Sequence, residues 1–206
     1  MLDYSTYFKD SPYADYHVVD LGKIYLASGR VYCCDPFLSN EVNALEKIVP
    51  AGYFNVKLSI VTLPDWGRRV ALTGLILSNQ NLVSWQKATY VLNGERYSEF
   101  RIDAGLACFM DKETRELFTQ VVDDFYRNKP EGNYYDDILA AEFKQNAESV
   151  DLHDSGDWDV HYPAKDNPRN IAMFASGLGD GIYSAYWGLD KMEQPVMLVA
   201  DFGLLP

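Results

Sequence analysis

Residues 176–188 read S-G-L-G-D-G-I-Y-S-A-Y-W-G. Between positions 177 and 181 stand three glycines and one aspartate, which no strand or helix interior accommodates. Glycine supplies positive φ and aspartate a side chain that bonds its own backbone, so these letters spell a tight corner with close chain approach. An apolar run at 171–175 enters the corner, the aromatic, β-prone stretch 182–188 leaves it, and a second apolar run at 196–202 follows. The block predicts a three-stranded meander carrying a glycine-aspartate loop.

Upstream, the same alternation of apolar runs and turn signals recurs. Residues 1–21 are tyrosine-rich and aperiodic, a lead-in that packs across the body. Residues 23–27 and 30–34 flank Ser28-Gly29 and read as a hairpin closed by Asp35-Pro36. Along 53–63, Val56, Leu58 and Ile60 alternate with Asn55, Lys57 and Ser59, the period of a half-buried strand. Pro64-Asp65-Trp66-Gly67 turns it, and 69–77, apolar on both faces, predicts a central return strand. Asn93-Gly94 is a strong hairpin dipeptide, and Asp103-Ala104-Gly105 interrupts the strand signal of 101–110. Only two helices follow. Asp111 is a good N-cap, with Leu117, Val121 and Phe125 as an apolar stripe, and a second stripe runs from Tyr135 through Leu139 to Phe143. Strands do not alternate with helices, which argues against a doubly wound nucleotide fold. The expectation is one α+β domain over 1–206. It is a mostly antiparallel β sheet or sandwich (22–110), with a two-helix insertion (111–150) before a C-terminal β-meander (151–206).

The formal net charge is −12, and residues 111–166 carry 15 acids against 6 bases, a net of −9. Direct binding to nucleic acid or an anionic membrane needs the opposite sign. An acidic face suits solubility or a basic partner. Within this segment Asp123, Asp124, Tyr134, Tyr135, Asp136, Asp137 and Glu142 combine carboxylates with tyrosines, the composition of a protein-contact surface more than a reaction centre. The start of the chain lacks a basic then apolar leader, and no apolar run reaches a membrane span, so a cytoplasmic location is expected. Cys33, Cys34 and Cys108 follow no disulfide or zinc spacing and read as buried thiols.

Three constellations carry candidate chemistry. The loop at 177–181 lacks a following helix and a P-loop lysine, so a phosphate cradle is disfavoured; it stands as a structural corner or as a ligand loop built on Gly179, Asp180, Gly181 and Tyr183. Asp35, Asp103 and Asp201, at strand ends like Asp180, either join it as a convergent acidic site or form Asx turns. If extended, residues 157–161 place Asp157, Asp159 and His161 on one face, either a divalent metal set or a solvated edge. No nucleophile elbow is present, and no cofactor is implied.

Several pieces together resemble a bacterial domain-of-unknown-function family, number 4241. They are S-G-R-V at 28–31, Asp35-Pro36, P-A-G-Y at 50–53, R-V-A at 69–71, W-x-x-A at 85–88, D-A-G-L-A-C-F at 103–109, S-G-L-G-D-G-I-Y at 176–183 and Asp201-Phe202. The resemblance implies kinship of fold from about residue 22 to 203 and no catalytic residues. By analogy of context, small acidic proteins of this type suit toxin-neutralising immunity proteins. The expectation is a non-enzymatic binder or inhibitor of a basic protein. The alternative is a carboxylate-based enzyme, with or without a metal, or a small-molecule-binding domain, using the glycine-aspartate loop.

Overall fold

The alternation along 53–63 does form a strand, and its neighbours assemble around it in a computed structural model that describes residues 2–9, 16–38, 41–150 and 158–205. In chain order the strands are β1 (Tyr16–Leu26), β2 (Val31–Cys34), β3 (Gly52–Leu63), β4 (Gly67–Ile76), β5 (Ser84–Lys87), β6 (Tyr90–Leu92), β7 (Glu95–Tyr97), β8 (Glu99–Ile102) and β9 (Leu106–Asp111). Helix α1 (Lys112–Asn128), a π-helical turn (Tyr135–Leu139) and α2 (Ala140–Val150) follow. The chain closes with β10 (Trp158–His161), β11 (Ile171–Ala175), β12 (Gly181–Leu189) and β13 (Pro195–Asp201).

Two antiparallel sheets stack. The larger runs β1-β3-β4-β13-β12-β5, with β8 sharing the outer edge of β12; the smaller runs β10-β11-β9-β2. Strand β4 is central, as its two apolar faces require, and β6 and β7 form the small hairpin signalled by Asn93-Gly94, both at positive φ. Residues such as Ile24, Leu58, Phe109, Phe174 and Trp187 fill the space between the sheets. Helices α1 and α2 cover the other face of the small sheet, α1 against β2 and β9 and α2 against β10. The result is an α+β sandwich with a helical third layer. The N-terminal residues form a 3-10 turn (Tyr4–Phe8) capped by Asp3, and Tyr4, Tyr7 and Phe8 bury themselves with Leu72, Val196, Met197 and Val199 on the outside of the large sheet.

Two expected connections differ. Strands β1 and β2 are not a hairpin: β1 pairs with β3, and β2 with β9 in the other sheet. The Ser28-Gly29 corner is held across the sandwich, since both Ser28 N–H and its hydroxyl donate to the buried Asp111 carboxylate. Only glycine fits there: a Cβ on Gly29 would lie 1.9 Å from the Val49 carbonyl oxygen, at φ +71°. Likewise the closing strands are not one meander, because β11 lies in the small sheet while β12 and β13 pair in the large one. Both the 103–105 corner and the 176–180 loop carry the chain from one sheet to the other. Local alternation marks a strand but not the sheet it joins.

Side-chain amides cap part of two edge strands, β1 and β10. The Asn170 side chain accepts from Tyr25 N–H at 2.8 Å and donates to the Lys23 carbonyl at 2.8 Å, so it stands in for a neighbouring strand along β1. Asn146 of α2 donates to the Trp158 carbonyl of β10. Such pairing satisfies groups that would otherwise template another chain.

Candidate functional site

Where the two crossing corners meet, their main chains are tied together. Gly105 N–H donates to Asp180 Oδ1 at 3.0 Å, and Ser176 N–H to the Gly105 carbonyl at 3.1 Å. Asp35, 1% exposed, accepts from the amides of Asp103 and Ala104 on one oxygen and of Phe37 on the other. Three successive amides, 103 to 105, are thus taken up by the chain's own carboxylates. Tyr183 Oη donates within 3.0 Å of the carbonyls of Ser176 and Gly179, and its hydroxyl titrates above the usual range, through burial first and then the Asp180 charge. Gly177 and Gly179 take the positive φ expected of them, +61° and +110°, whereas Gly181 begins β12. Asp103 pairs with Arg101 on the surface, and Asp201 bonds the amide of Gly203. So Asp35 and Asp180 do approach the same corner, but as clamps on its backbone. Asp103 is held by Arg101, and Asp201 serves the Gly203 turn and the Tyr4 hydroxyl.

The residues at 157–161 are divided. Asp157 lies outside the described residues. Trp158 is buried and Val160 packs toward Gly22 of β1, while Asp159 and His161 face the helical layer. His161, 2% exposed, has both ring nitrogens engaged: Nδ1 with Glu142 Oε2 at 2.7 Å, Nε2 with Tyr134 Oη at 3.1 Å. One neutral tautomer satisfies both, with Nδ1–H donating to the carboxylate and the phenol donating to Nε2. Burial, then the Glu142 charge, pushes the Tyr134 hydroxyl up to about 12. Asp159 titrates above its ordinary range because it is buried and, secondarily, because Glu142 is close. Among the described residues, no three His, Cys, Asp or Glu side chains group in a way that could hold a metal ion. The Cys33 and Cys108 thiols are pushed up by burial, so they are poor nucleophiles.

The acidic helices present a different feature. The apolar stripe of α1 is wider than the small sheet can cover. Phe118 is buried, whereas Val122 and Tyr126 lie one and two turns further along a trough whose opposite wall is Pro36, Phe37 and Ala104. Asn133 and Tyr135 close one end, and the larger section holds about 490 Å³. Asp123 stands on its rim. The trough therefore joins the corner cluster to the helical insertion. Tyr126 Oη accepts from Tyr134 N–H, and the Asn133 side chain from the amides of Tyr135 and Asp136, which fix the start of the π-turn.

Of the seven acidic-segment residues singled out from sequence, the structure places Asp123 and Tyr135 on this trough and Asp136 on the exposed turn beside it. Asp124 and Asp137 are on the surface but paired, with Arg127 and Lys129. The Lys129 hydrogen bond holds the Asp137 carboxyl below its usual range. Tyr134 is buried against His161 and is corrected from surface to core, whereas Glu142 bonds His161 yet keeps its side chain 37% exposed. Phe37, Ala104, Val122 and Tyr126 escaped the sequence reading, because the trough forms only when pieces far apart in the chain meet.

Among the described residues, no helix is long and apolar enough to cross a membrane. The model of one protein family, described as a protein of unknown function (DUF4241), matches residues 24–200. No curated protein and no solved structure matches the chain.

Proposed function

The chain belongs to the DUF4241 family, and we propose that it is a non-enzymatic protein-binding protein of the inhibitor or immunity type, whose helical face receives a basic partner such as a toxin domain. One observation carries the reading: an apolar trough opens within the acidic segment, with Asp123 on its rim and Asp136 beside it. Neither carboxylate has an ion-pair partner among the described residues. An apolar centre with a charged rim is the anatomy of a protein interface. The surrounding excess of negative charge would speed the approach of a cation and disfavour an anion. The convergent-acid alternative is less well supported, since Asp35 and Asp180 are already spent on main-chain amides and neither lines a cavity described above.

The test is a pull-down on the full chain from its native host, followed by titration calorimetry of any cationic protein recovered at two salt concentrations; recovery of no basic protein counts against the proposal. The expected result is an affinity that falls with salt and drops at least about tenfold, about 1.4 kcal/mol, in the double variant Asp123→Lys, Asp136→Lys. Binding that is indifferent to both salt and charge reversal overturns the proposal.

A further inference from the structure

Resting on the protein-binding reading, we infer that the trough seats two apolar side chains, one helical turn apart, from a partner helix whose flanking lysines or arginines meet Asp123 and Asp136. The dimensions carry it first. Phe118, Val122 and Tyr126 follow at i, i+4 and i+8 along α1, which spaces the floor over about 12 Å. Two side chains at i and i+4 of an incoming helix stand about 6 Å apart and fit that length. A whole helix does not sink into it.

The chemistry carries it second. The wall residues Phe37, Ala104 and Val122 offer no hydrogen-bonding side chain, and the polar groups at one end, Tyr126 and Asn133, have acceptor oxygens turned to main-chain amides and keep only their donor hydrogens for a ligand. Tyr126 Oη accepts from Tyr134 N–H and Asn133 Oδ1 from Tyr135 N–H. A small polar ligand would find few unsatisfied groups converging on it, which is what a specific small-molecule pocket needs. An apolar anchor needs none. The charges carry it third. Arg127, Lys129 and Lys112 each pair with another acid of the helical layer, namely Asp124, Asp137 and Glu116, and no ion pair among the described residues reaches Asp123 or Asp136, which can therefore receive cations from outside. The occupant is therefore an amphipathic basic helix.

The experiment uses the full chain and three labelled synthetic peptides of about fourteen residues, four helical turns. The first carries two leucines at i, i+4 among lysines and arginines. The second replaces both leucines by serine, and the third replaces the cations by glutamate. Fluorescence anisotropy reads their affinity for the native chain and for Val122→Lys and Ala104→Arg, which fill the trough from opposite walls. A control variant, Met192→Lys, changes an exposed residue outside the trough; circular dichroism checks that each variant is folded. The inference expects the first peptide to bind at least about tenfold tighter than the other two, with that advantage lost in both trough variants and kept in Met192→Lys. If the serine peptide binds as tightly as the leucine peptide and only charge reversal at Asp123 and Asp136 weakens it, the anchor inference is overturned while the basic-partner reading survives. If no cationic peptide binds, the anchor inference is overturned, and the basic-partner reading is decided by the calorimetry on the protein partner.

Discussion

A methyl group added at Gly29 meets the Val49 carbonyl oxygen at 1.9 Å while φ stays at +71°. The chain must either open the corner or leave the left-handed region, and both break the link from β1 to β2. Gly29→Ala is therefore expected to cost about 2–5 kcal/mol, from overpacking and backbone strain together, read as a lower urea midpoint; a change below 1 kcal/mol would mean the corner yields. Asp159 makes the opposite prediction. Its folded carboxyl titrates above the ordinary 3.8 because of burial and Glu142, so the fold favours the protonated form. Any stability from this group is present below the unfolded pKa and is lost as pH rises through the folded one. Asp159→Asn should thus stabilise the protein slightly at neutral pH, by up to about 1 kcal/mol, with the advantage fading once the solution is more acid than about pH 4. Paired melts at the two pH values check it. At this scale the sequence was most legible: Asp111 as a cap, Asp35 as a turn former and the positive φ of Gly177 are local requirements. The engagement of Tyr134 and Glu142 was not, because the partner of both, His161, sits on a strand well down the chain.

The helical layer is fastened to the small sheet by a carboxylate, an imidazole and a phenol in series. Tyr134→Phe removes the donor to His161 Nε2 and leaves a buried acceptor unsatisfied, a loss of about 1–3 kcal/mol. The native phenol titrates at about 12 against 10.0 for an ordinary tyrosine, so its contribution is intact below pH 10 and disappears between there and pH 12. That alkaline limb should be absent from the stability profile of the variant, and amide exchange in α2 should quicken; unchanged protection in α2 would show that the series does not hold the helix. Elements were largely visible in the sequence, since periodicity is local. Their partners were not. The run 23–27 has strand letters on either reading, and what draws it away from 30–34 is the Ser28–Asp111 contact, 83 residues apart in the chain. The same holds for β11, whose letters resemble those of β12 and β13 but whose pairing lies with β9 and β10.

For the whole molecule, the N-terminal turn is what completes the outside of the large sheet. Tyr4 stacks on Tyr186 at 4.9 Å and edge-on against Trp85 at 5.0 Å, while Phe8 packs over Gly74. Deleting residues 1–9 should uncover Leu72, Met197 and Val199, raise the binding of a hydrophobic dye and lower the unfolding midpoint, since each buried aromatic side chain is worth about 1.5–3 kcal/mol. An unaltered midpoint without added dye binding would assign the turn no such role. The sandwich and the lopsided charge could be read from 206 letters, but the trough could not, because Phe37, more than 80 residues before Val122 and Tyr126, reaches them only once β2 has paired with β9. The register of β4 on β13 joins residues 72–76 to 197–201, with most of the polypeptide between them. The middle of the larger sheet therefore cannot exist until residues 197–201 have left the ribosome. Until then the early strands wait with bare edges, and a message truncated before the last strand yields a product for the proteases rather than a smaller working protein.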